Sequence, residues 1–482
     1  MTKRKNIILI LSDQQRYDTI SAYGLNDVCK TPHIDALAQE GMKFTNAFTS
    51  SAICAPARAS VMTGLYPHNH GVIDNFTDIK DDIPVLGHSM ANQGYYCGLA
   101  GKWHVCATKT PEDLGFDGKA FMGYGFPGSG VFPSLKFNQP PDNAPNYYEE
   151  YLKDNGFAMP DVSHGFLGNN PALQIQEMYA KHEGPVESTI EYFVAHEASR
   201  LIDKAVAEDK PFLIWANFWG PHSPSIVPEP YFSMYNPKDI KEHPSYKEDF
   251  ENKPYGHYLS EKMWGLGDYG WEGFADIAAK YYGHCTMIDD MVGLMINKLK
   301  ELSLYEDTII IYSADHGDCL GAHKLIEKGA FTYDEIYRIP MIVKGLGTKD
   351  NESFVYLQEL MPTLLDIAGT SPSKPVDGNS LLPLMEGILE NNKRTEIYAE
   401  YHNHFYVSRQ RMIRDNKYQF TFNENEKGEL YDFSKDPYQL NNVCYDETYA
   451  AIKKEYIEKM SHYMKETNDP AGVWFHRIKE FY

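Results

Sequence analysis

The stretch NIILILSDQQ, residues 6–15, carries an unbroken apolar run from Ile7 to Leu11 that stops on Ser12, Asp13, Gln14 and Gln15. A run this short, rich in β-branched residues and ending in a polar turn, reads as a strand buried on both faces. PFLIWANFW (211–219) and DTIIIYSADHG (307–317) have the same form. Between them lie helical patterns, PHIDALAQEGM (32–42) and the long amphipathic GHCTMIDDMVGLMINKLKEL (283–302). Strands alternating with helices predict an α/β fold, a large mixed, mostly parallel sheet flanked by helices. Such sheets bind ligands at the carboxyl ends of their strands, where Asp13, His222 and Asp315 fall or nearly fall.

At 482 residues the chain exceeds what one core usually organises, so a second, smaller domain is expected. With 43% hydrophobic and 23% charged residues it has a globular composition, and no apolar run of about 18 residues suggests a membrane span. The amino terminus, MTKRKNIILILSDQQ, imitates a secretory signal, but the apolar run is too short and no small-residue cleavage site follows it. The chain as given reads as cytoplasmic, and as periplasmic or secreted if a leader has been removed. Cys29, Cys54, Cys97, Cys106, Cys285, Cys319 and Cys444 are too few and too scattered for a disulfide framework, so buried thiols are expected. A formal charge of −22 opposes nucleic acid and anionic membrane as partners. An anionic substrate needs local cations to overcome that field. The sequence does not specify an oligomeric state.

The texture changes along the chain. Residues 115–185 are rich in Gly, Pro, Asn, Tyr and Phe with little periodicity, and read as an elaborated loop region of the kind that shapes a substrate entrance. A smaller loop-like insertion is expected at PYGHYLSEKMWGLGDYGWEG (254–273). After about Ser371, short strands with turn signals (TEIYAEYH, QRMIRDNKYQFTFN, GELYDF) precede a polar helix at 447–465. The expected division is a catalytic domain over 1–370 and an α+β subdomain with an antiparallel sheet over 371–482.

Asp13 and Gln14 follow the first strand, and Asp315 and His316 follow a much later one. Four oxygen and nitrogen donors from two strand ends make a pocket for a divalent cation, and the carboxylates favour a hard ion such as Ca2+ or Mg2+ over a thiolate-type zinc site. Each pair alone reads as a helix cap or a turn. GKWH adds Lys102 and His104, GPHSP adds His222, and EKGAFTYDE adds Lys328. Singly these read as a solvated charge or a structural histidine. Together with Arg58, beside strand ends and glycine turns, they describe a cationic anion site next to a metal.

Cys54-Ala55-Pro56-Ala57-Arg58, followed by Thr63-Gly64, resembles the signature of the sulfatase family of the alkaline phosphatase superfamily. The order Asp13, Cys54, Lys102, His104, His222, Asp315, Lys328 matches as well, so the resemblance spans essentially the whole chain. It implies an alkaline-phosphatase-like fold and a sulfuric ester hydrolase in which Cys54 is oxidised to formylglycine by a sulfatase-maturating enzyme. The hydrated aldehyde offers one hydroxyl of lowered pKa to attack sulfur, and the second lets the diol collapse and expel sulfate. Pro56 suits the first turn of a helix whose amino end favours the developing oxyanion. By this resemblance Asp13, Gln14, residue 54, Asp315 and His316 hold the metal, Ca2+ first and Mg2+ or Mn2+ as alternatives. Arg58 holds the diol and the metal-side carboxylates, Lys102 bridges the diol and a sulfate oxygen, and His104 is the base. His222 and Lys328 face the ester oxygen.

Many sulfatases have a second Asp where Gln14 stands and Asn where His316 stands. Phosphonate monoester and phosphodiester hydrolases with the same nucleophile are therefore the alternative, although they generally lack the GKWH element. Two further readings are a non-catalytic anion-binding relative and thiol catalysis by Cys54, the latter disfavoured because a hard cation partners a thiolate poorly. The expected substrate is a sulfated carbohydrate, a small molecule or short oligosaccharide, with aryl or alkyl sulfates second. Cys285 and Cys319 read as buried structural thiols. His68 and His70 line the mouth or satisfy a loop, and His402 and His404 are candidates for reaching the substrate from the small domain.

Overall fold

A computed structural model describes residues 4–121, 147–158, 162–167, 177–264, 270–388, 394–404 and 407–482. Its central strand is Asn6–Asp13, buried along its whole length. This strand pairs in parallel with Phe212–Pro221 on one side and Thr308–Ala314 on the other, with Ile7 opposite Leu213 and Ile309. Across the eight-stranded sheet the order is Asn351–Tyr356, Met42–Phe48, Met341–Lys344, Thr308–Ala314, Asn6–Asp13, Phe212–Pro221, Tyr96–Lys102 and Ala120–Phe121. Only Met341–Lys344 runs antiparallel to its neighbours. The sheet is thus mixed and mostly parallel, as the alternating strands and helices predict.

Side chains of the central strand point alternately to two cores. Ile7, Leu9 and Leu11 join a cluster with Ala55, Ala57, Ala59 and Val61 of the helix Cys54–Thr63. Ile8 and Ile10 face the other layer, against Val194, Leu201, Ile288 and Val292 of the helices Ile190–Ala207 and Gly270–Glu301. This two-sided burial explains why the strand reads as continuously apolar rather than alternating.

A second, antiparallel sheet follows, Ile397–Asn403, Val407–Arg414, Tyr418–Asn423 and Glu429–Asp432, backed by helices Ala450–Glu466 and Ala471–Ile478. The polar helix expected from 447 starts three residues later, after the single 3-10 turn Glu447–Tyr449. Beneath this sheet Ile413, Phe420, Phe422 and Met460 share one cluster with Phe48, Tyr66, Phe331 and Tyr356 from the larger part. The two parts are joined by a common core.

The segment read as loops over 115–185 contains the helix Tyr147–Asp154 and the strands Val162–Leu167 and Glu177–His182, which with Ser225–Val227 form a three-stranded sheet. The remainder of that reading at 122–146, 159–161 and 168–176 lies outside the described residues, as do 265–269 of the second insertion. That insertion is otherwise helical rather than loop-like, with Tyr255–Trp264 before the long helix. Its buried face is Gly256, His257, Ser260, Glu261 and Trp264, so the aliphatic periodicity that marks a helix is absent. All seven cysteines are free and buried. Among the described residues no helix is long and apolar enough to cross a membrane.

Candidate active site at the strand ends

The nucleophile candidate sits at the first position of a helix made of small residues. Every residue of Cys54–Thr63 is buried, and Ala55, Ala57 and Ala59 let the helix lie close to the sheet. Pro56 falls in the first turn, where a missing N–H costs nothing, and Gly64 ends the helix in the left-handed region at φ 73°. The Ala55 amide donates to Asn75 Oδ1 at 3.2 Å. Asn75 has no motif around it and was not foreseen from the sequence.

Arg58, one turn into this helix, ties the two metal-side strand ends together. Its Nη2 donates to Asp13 Oδ2 and its Nε to Asp315 Oδ2, both at 2.9 Å, with all three side chains fully buried. Lys102 Nζ donates to the same Asp13 Oδ2 at 2.6 Å. Lys102 closes the strand Tyr96–Lys102, and Gly101 before it is held at φ 94° where a Cβ would lie 2.1 Å from the Asn217 carbonyl oxygen. Glycine is the residue that lets the chain turn there. Burial by itself would raise the Asp13 carboxyl, but Lys102, His222 and Arg58 together hold it well below the usual carboxylate range.

The other oxygen of Asp13 has only long contacts, 3.8 Å to Cys54 Sγ and 3.9 Å to His222 Nε2. His316 Nδ1 donates to the Gly317 carbonyl at 2.9 Å, which leaves Nε2 with its lone pair, and that atom faces Cys54 Sγ at 3.2 Å. Burial, reinforced by Lys328, keeps this imidazole neutral. Donor atoms of Asp13, Cys54, Asp315 and His316 all lie within 4.8 Å of one another. A buried carboxylate oxygen without a short donor, next to an accepting imidazole nitrogen, fits a divalent cation once residue 54 contributes oxygen instead of sulfur. Gln14 is differently engaged: its Oε1 accepts from Lys328 Nζ at 2.5 Å and its Nε2 donates to Asp318. One lone pair of Oε1 is left for a ligand.

On the opposite flank Lys328 Nζ also donates to Glu327 Oε2 at 3.0 Å and to His222 Nε2 at 2.8 Å. His222 Nδ1 lies 2.6 Å from the Ser223 carbonyl oxygen, which orients the ring with Nε2 toward Lys328. Burial would lower the Lys328 ammonium, but Glu327 outweighs it and the result is raised. The Glu327 carboxyl, against its burial, is lowered by Lys328 and His222. Its neighbour Asp318 is pushed up to about 6 by burial and by Glu327. These two carboxylates escape the sequence reading because a charge next to Lys328 or within DHGD has the look of a turn. His104 follows Lys102 with φ 39°, and burial and Lys102 hold it neutral, well below the usual imidazole value.

The remaining histidines divide. His70 Nδ1 accepts from the Val72 amide at 3.1 Å and Nε2 donates to Ser60 Oγ at 3.0 Å, which makes it a structural residue of the loop. His68 reaches Glu400 Oε1 at 2.9 Å, and His402 holds Glu400 Oε2 at 2.5 Å. His404, just past the end of the strand Ile397–Asn403, lies in the field of Lys328, Glu327, His316 and His222, and burial and Lys328 bring it down to about 3. Between these residues Tyr401 points the other way and wedges against Ile53 and Ala330, which precede Cys54 and follow Lys328.

A parallel sheet with a buried cation-flanked site at its strand ends and a nucleophile helix against it defines an alkaline-phosphatase-like hydrolase. The Sulfatase family model matches residues 5–370, and a model for the N-sulphoglucosamine sulphohydrolase C-terminal region matches 321–466. The chain belongs to the sulfatase family and is a sulfuric ester hydrolase. It is 28% identical over 501 aligned residues to the multifunctional alkaline phosphatase superfamily protein PehA of Trinickia caryophylli, covering 95% of this chain and 94% of that one. It is 26% identical to the N-acetylglucosamine-6-O-sulfatase of Bacteroides thetaiotaomicron, covering 97% and 88%. Among solved structures, the phosphonate monoester hydrolase of Agrobacterium radiobacter superposes with a TM-score of 0.78 at 25% identity over 96% of each chain.

Proposed function

We propose that the chain removes sulfate from a sulfated carbohydrate, with residue 54, oxidised to formylglycine, as nucleophile and a divalent metal held by Asp13, Asp315, His316 and residue 54. Gln14 Oε1 completes the ligand set. The observation that carries this reading is the convergence of Asp13 Oδ1, His316 Nε2 and residue 54 at the amino end of a helix. Formylglycine and the cation supply an oxygen nucleophile and the Lewis acid that acidifies it. The protein's own residues do the rest. Arg58 fixes the two carboxylates at the angle the ligand set needs. Lys102 and the positive end of the helix dipole balance negative charge on the sulfuryl oxygens. His104, held neutral, is ready to accept a proton from residue 54. Lys328 carries the proton that the leaving oxygen takes up, and His222, accepting from it, orients the ammonium.

The carbohydrate is supported by the likeness to the N-acetylglucosamine-6-O-sulfatase. The likeness to the phosphonate monoester hydrolase keeps phosphonate or phosphodiester hydrolysis as the second reading, and Lys102 with His104 favours sulfate. The test expresses the chain with and without a sulfatase-maturating enzyme and compares nitrophenyl sulfate, nitrophenyl phosphate and phenyl phosphonate, with and without chelator. Sulfate turnover that requires maturation, ceases with chelator and is absent in Cys54→Ala is expected. Preference for the phosphonate promotes the second reading. Full sulfate turnover by a sample whose intact mass still contains the thiol refutes the nucleophile.

A further inference from the structure

A cavity of about 280 Å³ lies between the loop after the nucleophile helix and the carboxyl-terminal sheet and helix. Cys54 does not line it. Two short pieces of chain connect the two places. Ile73 is a wall of the cavity, and Asn75 two residues on accepts from the amide next to Cys54. His402 is another wall, and His404 two residues on stands in the field of His222, His316 and Lys328.

The lining has a particular chemistry. Trp474 sits on the helix Ala471–Ile478, whose Gly472 and Phe475 are buried, while the indole remains 43% exposed at the rim. The floor cations are consumed: Arg411 is bound by Asp469 at 2.5 and 3.0 Å, and His68 by Glu400. Arg409 is different. Its side chain is 56% exposed and its ion pair with Glu424, which also lines the cavity, is loose at 3.6 Å, beyond hydrogen-bonding distance, so its N–H donors remain open to a second anion. The cavity thus presents a half-exposed guanidinium and a half-exposed indole in its lining.

We propose that this cavity receives the sugar next to the sulfated one, and that this neighbouring sugar bears an anionic group of its own, a carboxylate or a second sulfate. The indole supplies a platform for the apolar face of a ring, and Arg409 supplies the planar donor pair that matches a carboxylate or sulfate. The volume, just below the range of about 300–1,000 Å³ typical of small-molecule pockets, suits one ring rather than a chain. The proposal rests on the reading of the chain as a carbohydrate sulfatase.

The test is calorimetric binding to the full-length Cys54→Ser protein with divalent cation present, in which residue 54 offers oxygen to the cation but cannot form the diol that releases sulfate. The probes are a sulfated monosaccharide and three disaccharides in which the sulfated sugar is joined to an uncharged sugar, a uronate or a second sulfated sugar. A disaccharide with an anionic neighbour is expected to bind about ten-fold more tightly than the one with an uncharged neighbour, the worth of one charge-assisted contact. Arg409→Ala removes that difference, and Trp474→Ala weakens all disaccharides more than the monosaccharide. Both side chains are exposed, so folding is checked by an unchanged melting temperature. Tighter binding of only the uronate or only the disulfated probe names the anion. Equal affinity for all three disaccharides, no binding of any, or a difference that survives Arg409→Ala overturns the proposal. Failure of the carbohydrate sulfatase reading is seen separately, as matured enzyme that binds these probes with the stated contrast and releases no sulfate from any of them.

Discussion

His68 joins the two parts of the molecule through its charge, and removing that charge gives a measurable pH dependence. Its Nδ1 lies 2.9 Å from Glu400 Oε1 on the second sheet, and its Nε2 is bonded to the Thr467 carbonyl at 2.9 Å. Burial alone would lower its pKa, but Glu400 and Asp469 raise it to about 9 from the ordinary 6.5. A raised folded-state value means the stabilisation is fully present below pH 6.5 and is lost as pH climbs through 9. At about 1.4 kcal/mol per pH unit the stabilisation is at most about 3.5 kcal/mol, an upper limit because Arg411 and His402 share the same carboxylate. For 482 residues, with an unfolding entropy of about 2.1 cal/mol/K per residue, that corresponds to about 3.5 °C in Tm. Scanning calorimetry of wild type and His68→Gln at pH 6 and pH 9.5 reads it out. The wild type should lead by about 3 °C more at pH 6 than at pH 9.5. A gap between the two proteins that does not change with pH refutes an ionised His68.

Arg58→Met leaves Asp13 and Asp315 buried without their shared cation, and should cost about 3–5 kcal/mol in chelator-treated protein, read by urea denaturation. Added divalent cation should recover part of that loss; full wild-type stability without cation would contradict the geometry. Gly101→Ala places a methyl 2.1 Å from the Asn217 carbonyl oxygen and should misplace Lys102, lowering nitrophenyl sulfate turnover strongly or blocking folding, as circular dichroism and kinetics distinguish. His222→Ala and Lys328→Met should slow alkyl or sugar sulfates by about 10²–10⁴-fold and nitrophenyl sulfate much less, because nitrophenolate leaves without a proton. Equal slowing of both substrate types contradicts a leaving-group role. Thr189→Ala removes the side-chain acceptor for the Tyr192 amide at the start of the helix Ile190–Ala207 and should cost about 1 kcal/mol.

The sheet was legible because its central strands are buried on both faces, and a run such as Ile7–Leu11 or Ile309–Ile311 allows few other readings. Strand ends then located Asp13, His222 and Asp315 without knowledge of the strand order, which the sequence leaves open, and Lys102 came from the GKWH motif. The antiparallel insertion of Met341–Lys344 between two strands carries no local signal, since a run of three apolar residues looks alike in either direction. The helix Tyr255–Trp264 was hidden by its polar and glycine-containing inner face. Asn75 and Glu327 were invisible for a different reason: each acts through one contact with a residue far along the chain or through a neighbour's proton, and no spacing encodes that. His402 and His404 were singled out together, and it took the strand geometry to separate a partner of Glu400 from a neighbour of the reaction centre.

Cys54 is 1% exposed, with a strand end, a helix and the Tyr401 wedge closed around it. An enzyme that oxidises this thiol, as proposed, would find it sealed in the folded chain. Timing would then govern yield, because the oxidation would have to overtake folding. Molecules that closed first would be stable, inert protein, so two batches of identical sequence and melting behaviour would differ widely in specific activity.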